Sequence, residues 1–365
     1  MSDNKEININ ETIISYKDLS EKIKEKIKQL KNFQIISKIA SGTFGTVLSA
    51  KDELQNNLYI EFALKLIIKK ETKGDKNPEK DKIMREFNLA KNLHHKHVVL
   101  VNGYTVLQLN KNNKAYVLMM EKAKYDLRCL LKFIDKNIFE IRNKNYFEYI
   151  YQLSELLIKF IIIQLNQANF YFNSVRLIHG DIKPGNILVT NNCLLKLCDF
   201  SKSKTIPYKN KTFNVEIGTS ECSSYGCYSR NINIEEAGKS DVFSIGCILY
   251  KLQFNQNLIK FDLNEKATQK AISKKIKEGI NKELNDEFYS VDMKNYSIKM
   301  INVSPKNRYS PKEALDNKWL HEDNETIKEI NYINQLESNF KLLFELQKHF
   351  KNIDSLKRRA RYYID

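Results

Sequence analysis

Asp181, Lys183, Asn186 and Asp199 sit in the run His179-Gly180-Asp181-Ile182-Lys183-Pro184-Gly185-Asn186 and the nearby segment Asp199-Phe200-Ser201. Their types and order suit the transfer of a phosphoryl group. A carboxylate such as Asp181 can orient an attacking hydroxyl and take its proton. The ammonium of Lys183 can neutralise charge on the moving group. An amide and a carboxylate, Asn186 and Asp199, can hold Mg²⁺ on the phosphates. Such chemistry is mostly positioning, so the loops need rigid supports. The apolar runs Ile187-Leu188-Val189 and Leu194-Leu195-Lys196-Leu197 read as the strands that supply them.

This pattern resembles the catalytic and metal-binding loops of eukaryotic protein kinases, H-R-D-L-x-x-x-N and D-F-G, in their serine/threonine form. The resemblance implies an α+β, bilobal fold with a small β-rich N-lobe and a larger, mainly helical C-lobe. It implies transfer of the γ-phosphoryl of ATP, with Mg²⁺, to serine or threonine hydroxyls of protein substrates. On this reading Asp181, Lys183 and Asn186 are catalytic, Asn186 and Asp199 bind the metal, and His179 and Phe200 are structural.

The fold so implied can be followed upstream. Residues 32–50 alternate apolar positions around Ser41-Gly42-Thr43-Phe44-Gly45, which reads as two strands and a turn. The turn resembles the kinase Gly-rich loop, with Ala40 in the first glycine slot, then Gly42, Gly45 and Val47. Glycines there let backbone N–H groups approach phosphate oxygens. Glu61-Phe62-Ala63-Leu64-Lys65-Leu66 is a strand with one lysine among apolar neighbours, and a buried amine needs a partner. The resemblance places Lys65 on the α/β-phosphates and Glu86, on the following helix, against Lys65. Ala115 to Ala123 resembles the last N-lobe strand running into the hinge. Met120 would guard the pocket behind adenine, and the backbone of Glu121 and Ala123 would bond its edge. Val47, Ala63 and Leu188 would sandwich the ring. Asp126 either reaches the ribose or caps the next helix.

Downstream, Ser154 to Phe172 carries a helical apolar pattern that ends just before the catalytic loop. Gly218-Thr219-Ser220-Glu221 resembles the segment preceding the substrate platform, with Thr219 bonded to Asp181 and Lys183. Asp241, in Lys239–Tyr250, would accept N–H bonds from the catalytic-loop backbone. Arg308 lies in a segment resembling the end of the kinase domain.

Four positions depart from the family pattern. Gly180 stands in place of the arginine beside Asp181, which removes one route to a phosphate switch. Ser201 replaces the last glycine of D-F-G and restricts a backbone flip. Ser224-Tyr225-Gly226 stands where A-P-E is expected, so Arg308 needs another acid or a rearranged platform. Ala40 is the fourth. None removes a group that touches the transferring phosphoryl, and an active enzyme is the expectation. The alternative is a nucleotide-binding pseudokinase acting as a scaffold.

The chain has 365 residues, 42% hydrophobic, with formal net charge +16. That length holds two lobes and short extensions. We expect an N-terminal extension over 1–31, a kinase domain over 32–321 and a helical tail over 322–365. Within the domain the N-lobe spans 32–120, the hinge 121–125 and the C-lobe 126–321. Residues 1–16 read as a polar tail, 17–31 as a surface helix, and 137–151 as a loop or short helix. The tail repeats Ile333, Leu336, Phe340 and Leu343 at helical spacing, for docking on the kinase, pairing with another chain or binding a regulator. The positive charge is spread along the chain without a dedicated nucleic-acid module, and no stretch is apolar enough to span a bilayer. Six cysteines without metal-like spacing read as free thiols, and an intracellular, cytoplasmic protein is the expectation.

Overall fold

The computed structural model describes residues 7–9, 12–14, 33–42, 45–53, 59–70, 78–110, 113–129, 131, 147–190, 194–209, 211–214, 231–254, 257–258, 274 and 289–321. The chain divides into two units, Met1–His94 with Val98–Ala123, and His95–His97 with Lys124–Asp365. The first is β-rich and the second mainly helical, the α+β arrangement expected. Thr43, Phe44, 17–31, 137–146, the segment 215–230 with Thr219 and Ser224 to Gly226, and the 322–365 tail lie outside the described residues.

In the first unit β1 (Ile7–Ile9) pairs antiparallel with β2 (Thr12–Ile14). The N-terminal stretch, expected to be an unstructured tail, thus carries a hairpin. Its Ile-rich runs favour extended backbone despite polar surroundings. The main sheet comprises β3 (Phe33–Gly42), β4 (Gly45–Glu53), β5 (Tyr59–Lys70), β6 (Val101–Asn110) and β7 (Asn113–Glu121), ordered β3-β4-β5-β7-β6 and antiparallel throughout. Helix α1 (Pro78–Lys91) joins β5 to β6 in sequence.

The period of two along each strand divides the sheet residues into two sets. Leu48, Ala50, Phe62, Leu64, Leu66, Ala115 and Val117 form one buried cluster. The alternate residues face the other way. The register pairs Ala40 with Val47, Val47 with Lys65, Lys65 with Leu118 and Ala63 with Met120. Paired residues share a face, so Ala40, Val47, Ala63, Lys65 and Met120 stand on one side of the sheet.

Gly45 opens β4 at φ +121°, and a Cβ built there would come 2.1 Å from the Leu66 carbonyl oxygen. No side chain fits without moving β5. Gly45→Ala is expected to lower stability by about 2–3 kcal/mol, read as a shift in urea midpoint. An unchanged midpoint would show that the hairpin yields without cost.

The second unit is built on α2 (Phe147–Ser174), longer than the sequence pattern indicated. Residues 147–151, read as part of an insertion, continue it upstream of the apolar stretch. Helix α3 (Ala237–Phe254) is buried on nearly every side, which explains its weak apolar stripe. Helices α4 (Val291–Met300) and α5 (Pro311–Leu315) complete the packing. Ser310 and Glu313 form a reciprocal capping box at the start of α5. Among the described residues no helix is long and apolar enough to cross a membrane.

His97 ties the start of the second unit to its interior. Its Nδ1 lies 2.9 Å from the Leu195 carbonyl oxygen and its Nε2 2.9 Å from Gln167 Oε1. Burial, helped by the charge of Lys96, pushes the imidazole down to about 4 from an ordinary 6.5. The folded state therefore resists protonation that the unfolded chain accepts. The stability held above pH 6.5 is lost as pH falls from there toward 4, by on the order of 3 kcal/mol. Urea midpoints at pH 7 and pH 4 should diverge by that much more for wild type than for His97→Gln. Equal acid sensitivity in the two would locate the loss elsewhere.

Candidate functional site

Two clusters emerge, one in each unit. In the first, Lys65 on β5 and Glu86 on α1 form a salt bridge, Nζ to Oε1 2.7 Å. Both side chains are nearly buried, at 11% and 8% exposure. Lys65 belongs to the same sheet face as Ala40, Val47, Ala63 and Met120, as the register requires. An amine placed there would be costly without the carboxylate. Glu121 closes the strand end: its N–H donates to the Leu100 carbonyl at 3.0 Å, and its carboxylate accepts the Leu100 N–H at 2.7 Å. Ala123 follows at the end of this unit.

Glu86→Gln keeps the size but removes the charge that Lys65 faces. The ammonium then loses one of its holds. On the phosphate-binding role that the kinase resemblance implies for Lys65, an increase of about tenfold in the KM for nucleotide is expected, with a smaller change in kcat. Unchanged nucleotide kinetics would show that Lys65 is held by other groups.

In the second unit β9 (Leu177–Ile178) leads into the loop 179–186, and Pro184–Asn186 forms a 3-10 turn that starts β10 (Ile187–Val189). Strand β10 lies between β8 (Tyr125–Asp126) and β11 (Leu195–Leu197). The strands read from Ile187–Val189 and Leu194–Leu197 thus pair with each other and support both loops, with half-buried Leu188 opposite Lys196 and Asp126.

Asp181 is the centre of the loop. Its Oδ2 accepts from Lys183 Nζ at 2.7 Å and from Asn186 Nδ2 at 3.0 Å. Asn186 Nδ2 also bonds the Asp181 carbonyl at 2.9 Å. These bonds fix the carboxylate and turn Asn186 Oδ1 away from it. The Asn186 carbonyl then accepts the Cys198 N–H at 3.0 Å, which brings the residue before Asp199 against the loop. Asp199 itself has φ +68°. Left-handed backbone at a non-glycine residue costs about 1–3 kcal/mol and persists only where the surroundings enforce it. Phe200, 3% exposed, is the anchor that follows.

Beneath the loops lie Phe172, His179 and Phe200. Phe200 packs 5.1 Å from His179 and edge-on to Phe172 at 5.9 Å between ring centroids. His179 Nε2 lies 3.1 Å from the Cys198 carbonyl oxygen, and Ser203 Oγ donates to the His179 carbonyl at 2.8 Å. Asp241 on α3 accepts the N–H groups of His179 and Gly180 at 2.7 and 3.0 Å. Burial pushes the Asp241 carboxyl above the usual range, opposed by His179 and the two N–H bonds.

The departures acquire physical form here. Gly180 has φ +77°, and a Cβ would come 3.1 Å from the Lys202 carbonyl oxygen. Glycine suits this backbone. Ser201 is buried with its Oγ unpartnered. Arg308, 3% exposed, donates to the carbonyls of Asn302 (2.8 Å), Lys239 (2.8 Å) and Val303 (3.2 Å) and lies over Phe243. Three carbonyl dipoles and a ring face are among the partners of the guanidinium. Asp126 caps the next helix: its Oδ1 accepts the Cys129 N–H at 3.2 Å.

The donor set fits a hard cation bound to phosphates. Asn186 Oδ1 and the Asp199 carboxylate offer oxygens of the kind a hard cation takes, and Mg²⁺ commonly takes one or two protein oxygens while water and phosphate fill the rest. No group of three or more His, Cys, Asp or Glu with metal-holding geometry occurs among the described residues. The Ser203 and His97 contacts escaped sequence reading because a lone serine or histidine has no spacing signal. The left-handed Asp199 escaped it because only backbone geometry reports it.

Comparison with known proteins agrees with this geometry. The family model for the protein kinase domain matches residues 33–320. The chain is 26% identical over 299 residues to the serine/threonine-protein kinase cds1 of Schizosaccharomyces pombe, covering 80% of this chain and 58% of that protein. It is 28% identical to cyclin-dependent kinase G1 of Arabidopsis thaliana, over 62% of this chain and 33% of that protein. It is 25% identical to SNF1-activating kinase 1 of Saccharomyces cerevisiae, over 84% of this chain and 29% of that protein. The chain thus spans less than two thirds of the length of these curated relatives. With that match over most of its length, the chain belongs to the protein kinase family.

Proposed function

We propose that the protein transfers the γ-phosphoryl of ATP to serine or threonine hydroxyls of protein substrates. The observation that carries this reading is the double hold on Asp181 Oδ2 by Lys183 and Asn186, in a loop braced by Asp241. Asp181 orients the acceptor hydroxyl and takes its proton. Lys183 stays beside that carboxylate and meets charge on the phosphoryl oxygens. Asn186 and Asp199 would hold Mg²⁺, which when bound neutralises phosphate charge. Lys65, fixed by Glu86, binds the α/β-phosphates, and Ala40–Gly45 with Val47 covers them. Ala63, Met120, Leu188 and the backbone of Glu121 and Ala123 hold the base. Most of the catalysis is positioning and electrostatics.

The catalytic domain is residues 32–321, with extensions at 1–31 and 322–365. The tail would dock on the kinase domain, pair with another chain or bind a regulator. All chemical positions are filled, which favours an active enzyme over a scaffold.

The test is incorporation of labelled phosphate from Mg²⁺-ATP into a generic protein, followed by phosphoamino-acid analysis. Phosphoserine or phosphothreonine is expected. A chain that binds ATP yet transfers nothing would be a scaffold, and phosphotyrosine alone would overturn the hydroxyl specificity.

A further inference from the structure

The kinase reading leaves open which protein segments are phosphorylated, and Arg128 bears on that choice. Arg128 lies two residues beyond Asp126, where residues 127–129 open a helix. Its guanidinium covers the catalytic loop at Gly185. A Cβ placed on Gly185 would come 3.1 Å from Arg128 Nε and 3.2 Å from Cζ. The cation therefore fills the space that a side chain at position 185 would take.

Asp126 holds this guanidinium from one side. Nε and Nη2 of Arg128 donate to Asp126 Oδ2 at 3.1 and 2.6 Å. The other carboxylate oxygen is engaged by the Cys129 N–H. Exposure is unequal, 62% for the Arg128 side chain and 19% for Asp126. An approaching molecule thus meets the cation, while the acid braces it from behind. A guanidinium carries five N–H donors in a rigid fork, and the edge turned away from Asp126 remains to bind a second oxyanion. Because the fork is already oriented, less freedom is lost when it does so.

The location decides what that oxyanion belongs to. Gly185 adjoins Asn186, whose amide touches the Asp181 carboxylate. A peptide that presents its hydroxyl to Asp181 passes this loop, and extended chain advances ~3.4 Å per residue. Arg128 is then within a few residues of the acceptor. The overall charge of +16 attracts acidic molecules without choosing a position; one braced arginine beside the loop does choose. We propose that Arg128 is a specificity-determining residue that selects protein segments bearing a carboxylate or phosphate a few residues from the acceptor hydroxyl.

The experiment uses the full chain as wild type, Arg128→Ala, Arg128→Lys and Arg128→Glu. Labelled serine peptides differing only in glutamate, phosphoserine or lysine flanks are titrated by fluorescence anisotropy, and the same peptides are assayed for phosphorylation. Wild type should favour acidic over lysine flanks by about tenfold at one or two positions. Arg128→Ala should reduce that ratio to about twofold, Arg128→Lys should restore part of it, and Arg128→Glu should reverse it. The KM for ATP should stay unchanged in Arg128→Ala, which separates peptide selection from nucleotide binding. Comparison of the glutamate and phosphoserine arms tells which oxyanion is preferred. An acidic preference that survives Arg128→Ala, or none in wild type, overturns the proposal. Arg128-dependent binding without phosphate transfer would sink the enzymatic reading and uphold this one; transfer without flank preference would do the reverse.

Discussion

Asp181→Asn is expected to lower kcat for peptide phosphorylation by about three orders of magnitude, within the usual contribution of a positioned general base. The geometry makes this substitution informative. Asp181 Oδ2 accepts from both Lys183 and Asn186. An asparagine oxygen can keep both bonds, so the loop should retain its shape. What disappears is the negative charge and the ability to take a proton from the acceptor. Lys183 is then left facing a neutral group and sits less firmly. The KM for ATP should move by no more than about twofold, because the proposed role puts Asp181 on the hydroxyl and not on the nucleotide. The check is steady-state kinetics alongside nucleotide titration. A kcat within about tenfold of wild type would mean that another group orients the hydroxyl.

The resemblance to protein kinases implied the two-lobed fold, and period alone marked single strands. Phe62-Ala63-Leu64-Lys65-Leu66 read as a strand, whereas its pairing with Val47 and Leu118, and the face of Lys65 opposite the main cluster, come from the structure. A single amine among apolar neighbours demanded a partner, the kinase resemblance named Glu86, and the two meet at 2.7 Å. Other features depend on contacts distant in sequence. With A-P-E missing, Arg308 called for another acid or a rearranged platform, and carbonyl oxygens of Asn302, Val303 and Lys239 are among the partners it finds. Backbone acceptors carry no sequence signature, since every residue has one. Ser201 was read through its effect on backbone freedom, whereas its buried, unpartnered hydroxyl depends on packing from elsewhere. The extra turns of α2 began among polar and aromatic residues, where the apolar pattern is weakest.

The second large effect is expected at Asp241, which meets the loop from α3. Asp241→Ala removes the one carboxylate that receives both the His179 and Gly180 N–H groups. His179 and Asp241 are no more than 1% exposed, so water cannot readily replace the lost acceptor. Each orphaned donor costs about 1–3 kcal/mol, and a total near 4 kcal/mol is expected in urea unfolding. The loss should reach the chemistry as well. Gly180 immediately precedes Asp181 and its φ of +77° relies on this anchor. Displacement of the carboxylate by even ~1 Å should lower kcat by about two orders of magnitude. Asp241→Asn retains one carbonyl acceptor but turns an NH₂ toward the other N–H, so it should fall between alanine and wild type in both measurements. Stability and kcat falling together across the two variants would mark Asp241 as the brace of the loop. A stable Asp241→Ala protein with unimpaired turnover would show that the loop holds its own conformation, and that buried charge on α3 has another purpose.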